Sequence, residues 1–67
     1  MNKKERNPLL KLKFKRIEKG LTQEELAKKV GVFRMTIYYY ESGARKPNSD
    51  MLQKLAVALE CTVDDIL

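Results

Sequence analysis

A single glycine divides residues 23–42, QEELAKKVGVFRMTIYYYES, into two short segments of helical apolar spacing. Leu26, Ala27 and Val30 precede Gly31, while Val32, Ile37 and Tyr40 follow it. Two short helices joined through so tight a turn must cross closely. The first therefore needs a small side chain at the crossing, and the turn needs a residue tolerant of positive φ. Ala27 and Gly31 meet these needs, and the five apolar anchors Leu26, Val30, Val32, Ile37 and Tyr40 hold the two helices at a fixed angle. Such a pair is a helix-turn-helix arrangement.

The rest of the chain reads as further helices punctuated by caps. Asn7 can cap a first helix with Pro8 at its first position, running towards Gly20. Leu10, Phe14, Ile17 and Leu21 form its apolar stripe, with Leu12 and Arg16 beside it. In TQEEL the Thr22 hydroxyl can accept from the Glu25 N–H while the Glu25 carboxylate reaches back, a capping box that opens the second helix. The third helix runs from about Arg34 to Glu41 and ends at Ser42-Gly43. Asn48 or Ser49 caps a fourth, with Met51 or Leu52, Leu55, Ala56 and Leu59 facing in. Thr62 and Asp65 repeat the capping logic for a short fifth helix. No alternating Val/Ile/Thr-rich run suggests a strand, so the expected fold is an all-α, compact five-helix domain over residues 8–67, preceded by a disordered basic arm at 1–7.

Charge narrows the partners. The 67 residues carry 14 Lys plus Arg against 9 Asp plus Glu, a net charge of +5. The excess lies towards the N-terminus, where residues 1–20 hold eight basic and two acidic side chains and residues 47–67 hold one and four. A basic end suits a polyanion, either nucleic acid or an anionic membrane surface. No apolar run approaches the roughly 18 residues that span a bilayer, and the one cysteine, Cys61, excludes an internal disulfide. These features suggest a cytoplasmic protein, with Cys61 as a small core residue. Without His, and with no carboxylate cluster or Gly-rich phosphate loop, neither a catalytic triad nor a metal site can be assembled, so the expectation is no enzyme, no metal and no cofactor.

The whole pattern resembles the phage repressor and Cro type of helix-turn-helix protein, the XRE-like, lambda repressor-like regulators. The likeness extends from about Leu10 to Leu67 and includes RIEKGLTQEELA, YESGARKP and LAVALECTVDDIL. It implies a sequence-specific transcriptional regulator, expected to be a repressor, that binds double-stranded DNA in the major groove as a homodimer on a palindromic operator; no small-molecule effector is evident in the sequence. It also implies base reading by Arg34, Met35 and Tyr39, a DNA-backbone contact from Gln23, and a partly buried Arg16–Glu41 ion pair. Two positions depart from the family pattern. Phe33 stands where a small polar cap is usual, and Glu60 where a helix-ending glycine is usual.

The residues support a similar map. At about 100° per residue, Phe33, Ile37 and Tyr40 share one side of the third helix, and Met35, Tyr38 and Tyr39 the other. Tyr40 then belongs to the core, while Tyr38 and Tyr39 face outward and join the base-reading set. Arg34 can pair with guanine O6 and N7 or hold a phosphate. Thr36, Ser42, Arg45 and Lys46 are expected at the DNA backbone with Gln23, whereas Lys28 and Lys29 form a solvated face. The rival readings are a protein-interaction module, such as an antitoxin or antirepressor component using the exposed aromatics, and a peripheral membrane binder.

Overall fold

The computed structural model describes residues 8–67. Among these residues four α-helices follow in order, α1 (Leu10–Glu18), α2 (Gln23–Val30), α3 (Arg34–Ser42) and α4 (Ser49–Ala58), and a 3-10 turn (Val63–Asp65) comes after them. α2 packs on both α3 and α4, α1 packs on α3, and the final turn closes against α1 and α4. Leu12, Leu26, Ile37, Leu55, Leu59 and Ile66 are completely buried where these elements meet. Each such side chain contributes roughly 1.5–3 kcal/mol of apolar burial.

Sequence and structure agree closely along the middle of the chain. The Thr22 capping box is formed in both directions, with the Glu25 N–H donating to Thr22 Oγ1 at 3.0 Å and the Thr22 N–H donating to Glu25 Oε1 at 2.9 Å. Gly31 ends α2 at φ 78° and Gly43 ends α3 at φ 84°, the left-handed region that favours glycine. Asn48 caps α4 by accepting from the Met51 N–H at 2.8 Å. At the usual glycine position after α4, Glu60 takes φ 57°, and its carboxylate accepts from Lys19 Nζ at 2.7 Å. Their mutual hydrogen bond and attraction lower the Glu60 pKa and raise that of Lys19.

Three expectations require correction. The expected fifth helix is only the Val63–Asp65 3-10 turn, so the described residues hold four α-helices. Its Thr62–Asp65 capping box is complete, and the Ile66 N–H returns to the Val63 carbonyl three residues back at 3.0 Å, the 3-10 pattern. The first helix starts at Leu10 rather than Pro8: Leu9 is the N-cap at φ −88° and ψ 78°, packs on the core and donates its N–H to the Tyr40 carbonyl at 3.4 Å. Asn7 and the basic arm at 1–7 lie outside the described residues. The buried line of α1 is also different. Leu12 and Arg16 face in, while Leu10, Phe14 and Ile17 are exposed. Apolar periodicity selected the wrong face here because the inward face carries a charge that α3 neutralises.

Asp65 yields a pH test. Hydrogen bonds from Thr62, first from its backbone N–H, hold the Asp65 carboxyl below the usual carboxylate range. A folded-state pKa below the unfolded value of about 3.9 contributes stability above that value and loses it as pH falls through the folded pKa. Asp65→Asn should therefore melt below the parent protein at pH 7, with the gap closing as pH falls below about 4. Parallel melts from pH 7 to pH 2.5 check this, and a gap independent of pH would show that the charge contributes nothing.

Candidate nucleic-acid interface

The outer face of α3 follows from its two-sided composition. Ile37 and Tyr40 are buried on one side, and on the other Arg34 is exposed, with Met35 and Tyr38 keeping 42% and 47% of their surface in solvent. Thr36 and Tyr39 are half-buried. A helix of nine residues can present such a face reproducibly only if its core side is fixed.

A buried ion pair does much of the fixing. Arg16 Nε donates to Glu41 Oε2 at 2.6 Å and its second terminal nitrogen donates to Glu41 Oε1 at 3.1 Å. The remaining guanidinium nitrogen donates to the Leu21 carbonyl at 2.8 Å. Gln23 Nε2 donates to Glu41 Oε1 at 3.0 Å. One carboxylate on α3 thus gathers α1 and the first residue of α2, and Arg16 ties the α1–α2 connection to the same cluster. Fork-to-carboxylate geometry is directional, so it sets the orientation of α3 as well as its distance. The Gln23 side chain, expected at the DNA backbone, is half-buried and committed to Glu41 through one amide hydrogen, leaving the other hydrogen for an outside acceptor.

The C-terminal end of α3 brings together Tyr38, Tyr39, Ser42 and Arg45. The Tyr39 carbonyl accepts from the Arg45 N–H at 3.2 Å and from the Ser42 hydroxyl at 3.2 Å. The Ala44 N–H donates to Ser42 Oγ at 3.4 Å. These bonds turn the loop back, so that the Arg45 guanidinium lies 5.4 Å from the Tyr39 ring centroid in a cation–π contact. The Tyr38 ring centroid is 5.9 Å from that of Tyr39 at an interplanar angle of 58°. Tyr39 thus contacts both Tyr38 and Arg45 and is half-buried rather than fully outward. Arg45 and Lys46 are exposed, and the buried Pro47 anchors the loop behind them.

Phe33 departs from its expected place. It is the N-cap of α3, makes no capping hydrogen bond and is 85% exposed instead of joining Ile37 and Tyr40. Its backbone is extended (ψ 154°), so the ring leaves the helix before the helical 100° rule applies. A capping Ser or Thr would be worth about 1 kcal/mol to this helix, which also lacks an acidic residue in its first turn. The sequence signal was the residue type itself, since phenylalanine cannot cap. Gly31, Val32, Phe33 and Thr36 line a shallow surface hollow of about 360 Å³. A larger groove of about 800 Å³ runs between α2 and α4, past Lys28, Lys29, Asp50 and Val57, and has no lining residue from α3.

These elements define a helix-turn-helix domain of the DNA-binding kind found in transcriptional regulators. The helix-turn-helix family profile matches residues 12–66, and the chain belongs to that family. It is 43% identical over 56 residues to an uncharacterized HTH-type transcriptional regulator of Methanocaldococcus jannaschii, covering 84% of this chain and 85% of the relative. Among solved structures, the restriction-modification controller protein C.AhdI of Aeromonas hydrophila superposes with a TM-score of 0.82 at 33% identity, covering 87% of this chain and 84% of that one. The P22 c2 repressor, crystallised with a synthetic operator, also gives 0.82, at 29% identity and with 91% and 94% covered. No helix among the described residues is long and apolar enough to cross a membrane.

Proposed function

We propose that this protein is a cytoplasmic repressor that binds a palindromic operator as a homodimer, with α3 in the major groove. The observation that carries the reading is the outward face of α3, held by the buried Arg16–Glu41–Gln23 cluster and continued by the basic Arg45–Lys46 loop. Arg34, Met35, Tyr38 and Tyr39 read base edges, while Gln23, Thr36, Ser42, Arg45 and Lys46 meet phosphates. Thr36 and Ser42 contribute hydroxyls, although that of Ser42 is already shared with the Tyr39 carbonyl. One recognition helix touches few bases, and two half-sites a helical turn apart multiply the discrimination. The exposed Val57 and Leu67 belong to the less basic C-terminal part of the chain, which forms the dimer surface in this reading. No small-molecule effector is required.

Sequencing duplexes selected by the purified protein from a random pool tests the reading, with a palindromic consensus as the expected result. Arg45→Ala with Lys46→Ala should then weaken binding to specific and random duplexes alike. The slope of log affinity against log salt should flatten by about one unit per lost contact. An unchanged slope removes both residues from the backbone contacts. The exposed Leu10, Phe14 and Ile17 on α1 favour a second reading as a protein-interaction module, such as an antitoxin or antirepressor component. That reading expects no selected consensus and little salt dependence.

A further inference from the structure

Phe33 stands at the leading edge of the proposed reading helix, yet none of the contacts assigned above uses it. Its ring is 85% exposed, beside the exposed Arg34, and it borders the hollow lined by Gly31, Val32 and Thr36. A polar residue here would have served the helix better as a cap, so the ring is not explained by local stability. Residues at the start of a recognition helix lie closest to base edges. A phenylalanine ring has no hydrogen-bonding atom, and the apolar group that base edges offer in the major groove is the thymine 5-methyl. The positive ends of Arg34 and of the uncapped helix suit the adjoining phosphates.

We infer that Phe33 is a specificity-determining residue that packs on one thymine methyl per half-site, within the hollow it forms with Gly31, Val32 and Thr36. This rests on the operator-binding reading. The ring excludes water from the methyl group, and an operator carrying cytosine or a purine there presents a polar edge to it. The choice of Phe over a capping residue exchanges helix stability for discrimination at that base pair.

The test uses the full chain and its selected operator, with uracil replacing thymine one position at a time so that only the methyl group is lost. In the parent protein one position per half-site should lose on the order of 4-fold in affinity, the effect of burying a single methyl group. Phe33→Ser should abolish the uracil effect at that position and leave other positions unchanged. The same variant should melt about 4–8 °C higher, because it restores a cap. Phe33→Leu should keep the methyl effect without the gain in melting temperature. Identical uracil profiles in the parent and Phe33→Ser overturn the assignment while leaving operator binding intact. If the parent selects no consensus, the operator reading fails as well, and the two failures are distinguishable.

Discussion

Tyr40→Ala is expected to cost about 3–5 kcal/mol of stability, as truncation of a large aromatic in a packed core does. Tyr40 is 7% exposed and packs with Ile37 and Leu26 in the core, and its backbone carbonyl also receives the Leu9 and Gly43 N–H groups. A domain of this size holds only roughly 3–10 kcal/mol in total, so the variant should be largely unfolded at 37 °C. Its two neighbours should behave differently. Tyr39→Ala removes a half-buried ring that supports Arg45 and touches Tyr38, costing about 1 kcal/mol of stability and about 1–3 kcal/mol of specific binding. Tyr38→Ala should stay within about 0.5 kcal/mol of the parent in stability. Thermal melts and operator titrations on the three variants separate these outcomes. A Tyr40→Ala protein that melts like the parent while Tyr39→Ala unfolds would mean that α3 is rotated from the orientation described.

Glu41→Ala should be as damaging, by about 3–5 kcal/mol, for a different reason. The substitution leaves the buried guanidinium of Arg16 with only the Leu21 carbonyl and removes the acceptor that holds Gln23. The uncompensated charge left buried on Arg16, rather than lost attraction, dominates the cost. Replacing both partners at once, Arg16→Met with Glu41→Leu, should therefore recover much of the stability. Operator affinity should not return with it if the directional pair sets the angle of α3. Urea titrations of the single and double variants provide the comparison, and a double variant no more stable than Glu41→Ala would contradict the desolvation argument.

Local chemistry made much of this molecule legible. The Thr22–Glu25, Asn48 and Thr62–Asp65 caps, and the turns at Gly31 and Gly43, depend on residues within a few positions of one another. Sequence spacing alone can specify such features. The same holds for the two-sided division of α3, where Ile37 and Tyr40 fall a turn apart and bury together. The resemblance to repressors placed Arg16 and Glu41 as partners, and the structure brings them to 2.6 Å.

What sequence spacing misjudged lay where distant segments compete for the same residues. On α1 the apolar stripe Leu10, Phe14 and Ile17 stays in solvent, because the opposite face offers Leu12 to the core and Arg16 to Glu41. A periodicity rule counts apolar residues and has no term for a charge whose partner is 25 positions away. Leu9, at the cap of α1, packs on the core and donates its N–H to the Tyr40 carbonyl, a contact across 31 positions. Phe33 swings away from Ile37 because a cap residue has extended backbone and no helical direction. The sequence by itself determined the helical class, the turn at Gly31 and the local caps, since these are energies of neighbouring residues. Only the tertiary structure decided which face of α1 is buried, how far Tyr39 is covered and where Phe33 points, since those follow from packing and charge pairing between elements remote in the chain.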